Sequence, residues 1–323
     1  MQVISASYRT DIPAFYGEWF MRRVRAGSVK YHNPYGPQLV EVSLQPENVH
    51  AIVFWSKNYA PFLKHLDELN QRGLDHYFHY SITGYPGDPT LRPLEERVPQ
   101  PEQAIRIFHA LATTSSPRHV QWRYDPIIFT PLTDADWHRH TFARLARALE
   151  GMTERCYISF LDIYDKVTRN TRTLPPELQP YDPPPDEKLA LAQDLAVIGE
   201  GHGIALYTCA EDFAVGGLIR RGSCVDQDIL DSLWPHKRRL LKLSSNRGKC
   251  GCYDSRDIGA YDTCPHGCVY CYAVVNRPLA LQRYQAHEPD LESLIRRAST
   301  QPAPPPAASS QLSLFPPETE SES

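Results

Sequence analysis

The sequence has no run of roughly 18 apolar residues, and its first stretch, MQVISASYRTDIP, carries neither a basic segment nor a long apolar one. A membrane span and a secretory leader are therefore not expected, and the reading is a soluble, cytoplasmic protein. An excess of either charge is also missing, since 34 Lys and Arg stand against 38 Asp and Glu and the pI is about 6.4. No global field then draws the chain onto nucleic acid or an anionic membrane, and any polyanion site has to be local. No internal repeat occurs. What is present is length and cysteine. A chain of 323 residues can bury a sizeable core, and one catalytic domain with a tail is expected before two equal domains. Of eight cysteines, five lie between Cys250 and Cys271. In a reducing compartment they read as metal ligands rather than disulfides.

Short β-rich runs alternate with helical patterns. The runs are VISAS from residue 3, QLVEVSL from 38, AIVFW from 51, HYFHYSIT from 76, VQWRYDPIIF from 120, RCYISFLDIY from 155 and IALYTC from 204. Between them, residues 15–25, 60–72, 101–112, 134–149 and 186–198 repeat apolar side chains at three- and four-residue spacings, as amphipathic helices do. This alternation predicts an α/β fold of parallel strands, (β/α) barrel-like, over residues 1–285. An open doubly wound sheet is the competing architecture. From about residue 298 the chain turns to TQPAPPPAASSQLSLFPPETESES, and 286–323 is expected to be a disordered tail.

Barrels of parallel strands do their chemistry at the C-terminal strand ends. There the sequence offers Arg9 and Asp11, Lys57 and Asn58, Ser81 and Thr83, Arg123 and Asp125, Asp162, and Cys209 with Glu211. Singly, each is as well explained as a loop polar or a buried ion pair. As a set they suggest a pocket, with Arg123, Asp125 and Lys57 as catalytic candidates. In WRYDP, Arg123 offers a fork for a ligand carboxylate and Asp125 a group to orient it.

The segment CPHGCVYCYA spaces Cys264, Cys268 and Cys271 as C-x3-C-x2-C, inside a cysteine-rich stretch over 250–273. Three thiolates on a 4Fe-4S cluster leave one iron open, and S-adenosylmethionine can bind there through its amino and carboxylate groups. The rival is structural zinc, although C-x2-C pairs do not occur twice. Cys209, Cys224, Cys250 and Cys252 suffice for a second Fe-S cluster, or some of them are inert buried thiols. Cys156 reads as core.

At these residues YDTCPHGCVYCYA resembles the cluster loop of the radical S-adenosylmethionine (radical SAM) superfamily. Through SYRTDIPAFY, VFWSKN, WRYDPI and CGCYDSRDIGAYDTCPHGCVYCYA, most of the first 280 residues are similar to an uncharacterised bacterial family carrying that loop near its C-terminus. The resemblance implies reductive cleavage of S-adenosylmethionine, with Arg9, Asp11, Tyr270 and Glu211 as cofactor-binding candidates and a flavodoxin or ferredoxin as electron donor. In the superfamily the loop follows the first barrel strand; here it comes after the last, which implies a permuted partial barrel. No glycine-glycine-glutamate sequence of the superfamily kind follows a strand.

Weaker signals read plainly. His138 and His140, two apart on a helix, point to different faces and are expected on the surface. His76 and His79 fall on opposite faces of a strand. Trp55 and Trp122 could stack an adenine. Arg220, Arg221, Lys237, Arg238 and Arg239 suggest a solvated helix face or a phosphate patch. In the tail, Gln311, Leu312, Ser313, Leu314 and Phe315 are similar to the motif by which bacterial proteins dock on the replication sliding clamp, with Leu314 and Phe315 as apolar anchors. That motif directs the expected radical chemistry toward DNA, as a repair-type lyase or reductase akin to spore photoproduct lyases. A radical enzyme on a small molecule or peptide, and a metal-bearing DNA-associated adaptor without turnover, are the alternatives.

Overall fold

A computed structural model describes residues 1–209, 211–244 and 251–296. Cys250 and the motif at 311–315 lie outside the described residues. Ten strands occur among the described residues: β1 (Gln2–Ala6), β2 (Ser28–His32), β3 (Leu39–Ser43), β4 (Val49–Ser56), β5 (His76–Ser81), β6 (Val120–Ile127), β7 (Arg155–Phe160), β8 (Ala205–Thr208), β9 (Ile219–Arg221) and β10 (Arg256–Asp257). Eight of them form one sheet in the order β10-β1-β4-β5-β6-β7-β8-β9, every neighbouring pair parallel. The expected parallel, barrel-like α/β architecture is what the chain adopts.

Alternation along the strands sorts side chains between two faces. Ile4, Ile52, Phe54, Phe78, Trp122, Tyr124 and Ile158 point outward into one core. They meet the apolar sides of α2 (Gly17–Ala26), α3 (Leu66–Gln71), α4 (Pro101–Thr114), α5 (Ala135–Ala148) and α7 (Pro185–Gly201); the four-residue α1 (Ile12–Phe15) and α6 (Asp165–Thr171) sit in the loops after β1 and β7. On the inner face, Val3, Ala51, Val53 and Tyr77 are covered by Val225, Ile229, Leu230 and Trp234 of the segment holding α8 (Gln227–Leu233). Burying Ile229 and Leu230 is worth about 1.5–3 kcal/mol each, more than the ~1 kcal/mol of the α8 N-cap, where Asp226 Oδ1 accepts from Asp228 N at 2.8 Å. Farther along the same face the side chains turn polar, with His79, Arg123 and Ser159 buried near the C-terminal strand ends. The last helix among the described residues is α9 (Arg277–Gln285).

Several expectations need correction. QLVEVSL is β3, but it pairs antiparallel with β2 outside the large sheet. Leu39 and Glu41 are exposed and only Val42 is buried, so this strand has one buried side, whereas a strand of a parallel sheet needs two. Arg220 and Arg221 lie on edge strand β9 instead of a helix, with Arg220 Nη1 donating to Tyr207 Oη at 3.2 Å. Lys237 and Arg238 pair with Asp75 and Asp231 at 2.7 and 3.1 Å, so their charge is spent within the fold. His138 is fully buried, not on the surface: its Nδ1 accepts from Tyr124 Oη at 2.8 Å and its Nε2 donates to Ile128 O at 3.0 Å. Trp122 is sealed in the outer core with Nε1 donating to Ile82 O at 3.0 Å, which rules it out as an adenine platform.

Candidate functional site

Two groups of cysteines stand beyond the strand ends. The first is carried by the loop after β10, the last strand in sequence. Ile258 N donates to Ser5 O at 3.1 Å and continues the pairing with β1. The loop is then strapped to the segment after β5: Val269 N donates to Leu94 O at 3.1 Å, Arg97 N to His266 O at 2.9 Å, and Glu95 bridges to Cys268. Gly267 turns the loop at φ +79°, where a Cβ would also press within 3.1 Å of Glu96 Oε2. Any other residue there is strained. A cleft of about 300 Å³ on this loop is walled by Arg97, Cys264, Gly267, Arg277 and Leu281.

Glu95, which no sequence pattern marked, organises the inner side of the loop. It is completely buried. It accepts from Lys57 Nζ at 2.8 Å, from Thr83 Oγ1 at 2.8 Å and from Tyr270 Oη. Lys57 and Tyr270 therefore meet on one carboxylate. Asp11 has a parallel role: it accepts from Ala14 N, Lys57 N and His266 Nε2 at 2.9, 2.8 and 2.7 Å, so it joins α1, the end of β4 and the cysteine loop. Asp257 on β10 accepts from Ser5 Oγ, Ser7 Oγ, Tyr8 N and Gly259 N. Arg9, packed between the rings of Tyr8 and Tyr261, brings Nε to 3.8 Å from Asp257; that N–H makes no hydrogen bond. A buried donor without an acceptor costs about 1–3 kcal/mol, a penalty that a ligand carboxylate could relieve.

The second group lies on the inner face. Cys209 follows β8 and Cys224 follows β9, with their Sγ atoms 3.6 Å apart. Cys252 is drawn in by Tyr253 N donating to Val225 O at 3.1 Å and Ser223 Oγ to Gly251 O at 2.7 Å, and its Sγ accepts from Cys224 N at 3.2 Å. Arg123 reaches the same point, Nη1 donating to Cys224 Sγ at 3.4 Å. Its fork does not face open space: Nε and Nη2 hold Asp125 Oδ2 at 3.1 and 2.6 Å, while Asp125 Oδ1 accepts from Ser159 Oγ. The expected opening toward a ligand carboxylate is thus filled by the protein's own Asp125. His79 Nε2 donates to Cys224 O at 2.7 Å, and Trp55 stacks on its ring at 5.4 Å.

Electrostatics follows from burial. Desolvation pushes Cys264 and Cys268 up, with Asp11 adding to the first and Glu95 to the second. The Cys209 thiol is raised by its contact with Cys224 and by burial. For Cys224 the Cys209 contact lowers the value, but Cys252 and burial outweigh it and push it up to about 11. Thiols kept protonated in this way are poor nucleophiles, which weighs against a redox-active dithiol; a bound metal would take the place of the protons. Glu211, accepting from Phe160 N at 3.0 Å, is raised by burial to about 7. Burial drives His79 down to about 3, so its ring is neutral. Among the described residues no three His, Cys, Asp or Glu side chains are gathered closely enough for one metal ion. Thiolates around an iron–sulfur cluster stand farther apart than around one ion, because irons and sulfides lie between them.

The model of a family described as a domain of unknown function, DUF1848, matches residues 3–273. The chain belongs to this family. The match takes in both cysteine groups and ends just beyond Cys271. No curated protein matches the sequence. Among the described residues no helix is long and apolar enough to cross a membrane.

Proposed function

We propose that this DUF1848 protein is a radical SAM enzyme whose 4Fe-4S cluster is held by Cys264, Cys268 and Cys271. One observation carries the reading: the strand that precedes the C-x3-C-x2-C loop is last in sequence but first in space, β10 standing at the end of the sheet beside β1. A loop after the spatially first strand is where the superfamily carries its cluster, so a permuted chain would present the same loop over the same strand ends. The donor set fits, with three thiols on one loop and Arg9 Nε, which pairs with Asp257 at 3.8 Å but makes no hydrogen bond, available to a second carboxylate. The cluster, when bound and reduced, supplies the electron that splits the sulfonium of S-adenosylmethionine. The chain's own part is to hold the loop through Glu95 and Asp11, to offer Arg9 Nε, and to supply in Glu211 a carboxyl that changes charge near neutrality. Cys209, Cys224 and Cys252, with Cys250 outside the described residues as the fourth ligand and Arg123 as counter-charge, are the proposed seat of a second Fe-S cluster.

DNA as substrate rests on the tail. Gln311, Leu312, Ser313, Leu314 and Phe315 would tether the enzyme to the sliding clamp, with a repair-type lyase or reductase reaction on the DNA beneath it and a flavodoxin or ferredoxin as donor. Protein purified without oxygen should be brown and, once reduced, should release 5′-deoxyadenosine from S-adenosylmethionine. A colourless protein that takes up one zinc after anaerobic reconstitution would end the radical reading. Release that ignores added DNA would redirect it to a small molecule or peptide.

A further inference from the structure

We infer that the buried Lys57–Glu95 pair sets the redox poise of the cysteine loop, Glu95 being a positioning residue and Lys57 the charge it positions. This deepens the proposed function and rests on a cluster being bound at Cys264, Cys268 and Cys271.

Glu95 has no exposed side-chain surface and Lys57 only 14%. They are 2.8 Å apart. Water therefore screens neither charge well. Three features aim the pair at one thiol. Glu95 is bridged through its backbone to Cys268. Its carboxylate holds Tyr270, two residues further along the loop. The Lys57 ammonium lies 5.7 Å from the centre of the Tyr270 ring. Thr83 takes the other oxygen of Glu95 at 2.8 Å, so the carboxylate cannot turn away. A pair needed only to hold the loop would not require charge, since hydrogen bonds alone could do that, and burying an ion pair carries a desolvation cost. What charge adds is a field. Reduction gives the cluster one more negative charge, which a neighbouring ammonium favours and a neighbouring carboxylate opposes.

The full-length chain, reconstituted with iron and sulfide without oxygen, is titrated with dithionite and its midpoint potential read by electron paramagnetic resonance. Lys57→Met is expected to move the potential downward and Glu95→Gln upward, with the double variant between the two single variants. Opposite signs are something that a merely structural role does not produce. Lys57→Met keeps the length of the stem, so it decides the matter by itself should Glu95→Gln bind too little iron to titrate. Shifts of the same sign, or an unmoved potential in Lys57→Met, would overturn the inference while the cluster remains. A parent that binds no iron would instead overturn the function on which it rests.

Discussion

Cys264, Cys268 and Cys271 lie within eight consecutive residues and belong to one loop, whereas Cys209, Cys224 and Cys252 come from three segments that only the sheet brings together. The loop group is locally built and then fastened from outside by Glu95 and Asp11. The inner group has no local framework; its place depends on β8 and β9 pairing in register and on the 251–253 segment lying along residues 223–225. Loss of a strap should loosen the first group, while loss of the sheet register should dissolve the second.

Iron content gives the largest contrast. Changing Cys264, Cys268 and Cys271 together to Ala should remove about four irons per chain and abolish 5′-deoxyadenosine release. Changing Cys209, Cys224 and Cys252 should remove a similar amount if that group holds a cluster, and leave the loop's iron in place. Equal iron in the second variant and the parent would reduce the inner group to buried thiols. Next comes Arg123→Ala. It strips the counter-charge from Asp125 and a donor from Cys224, and breaking a buried pair costs about 3–5 kcal/mol. Urea unfolding should register that loss, and any iron lost should belong to the inner group alone.

A control away from both groups sharpens the comparison. Burial holds the His138 pKa down to about 4 from 6.5. The folded state therefore binds fewer protons than the unfolded chain between those values. The stability due to neutral His138 is fully present above pH 6.5 and is lost as pH falls toward 4, to the extent of about 3 kcal/mol. His138→Phe should flatten that part of the pH–stability curve without changing iron content, and nuclear magnetic resonance should find the ring neutral at pH 5. The smallest effect belongs to the tail. A peptide of residues 309–317 should bind the purified sliding clamp at roughly micromolar strength, because ordering it costs free energy. Equal binding after Leu314 and Phe315 are changed to Ala would remove the link to DNA.

Much of the fold was legible. All seven β-rich runs coincide with strands, six of them with β1, β4, β5, β6, β7 and β8 of the large sheet and QLVEVSL with β3 outside it, and all five amphipathic stretches fall on helical segments. These are long or strongly periodic, and burial on defined faces leaves its mark on composition. The two strands at the ends of the sheet left no such mark. β9 reads IRR and β10 reads RD, too short and too charged for a period to show. His138 was misread for a related reason: two partners at Tyr124 and Ile128 satisfy its ring inside the core, and sequence spacing carries no information about either.

By itself the sequence determined the strand-and-helix alternation and the C-x3-C-x2-C loop, because both are written in short-range spacing that the chain cannot avoid expressing. Only the tertiary structure decided which strand stands beside β1, and with it that the last loop lies over the first strand in space. It likewise decided that Arg123 grips Asp125, and that Glu95, from an unmarked loop, becomes the carboxylate on which Lys57 and Tyr270 converge. The physical reason is common to all three. A hydrogen bond between residues far apart in sequence exists only once strand order and register have fixed the distance between them, and in a parallel sheet those are settled by packing over the whole domain.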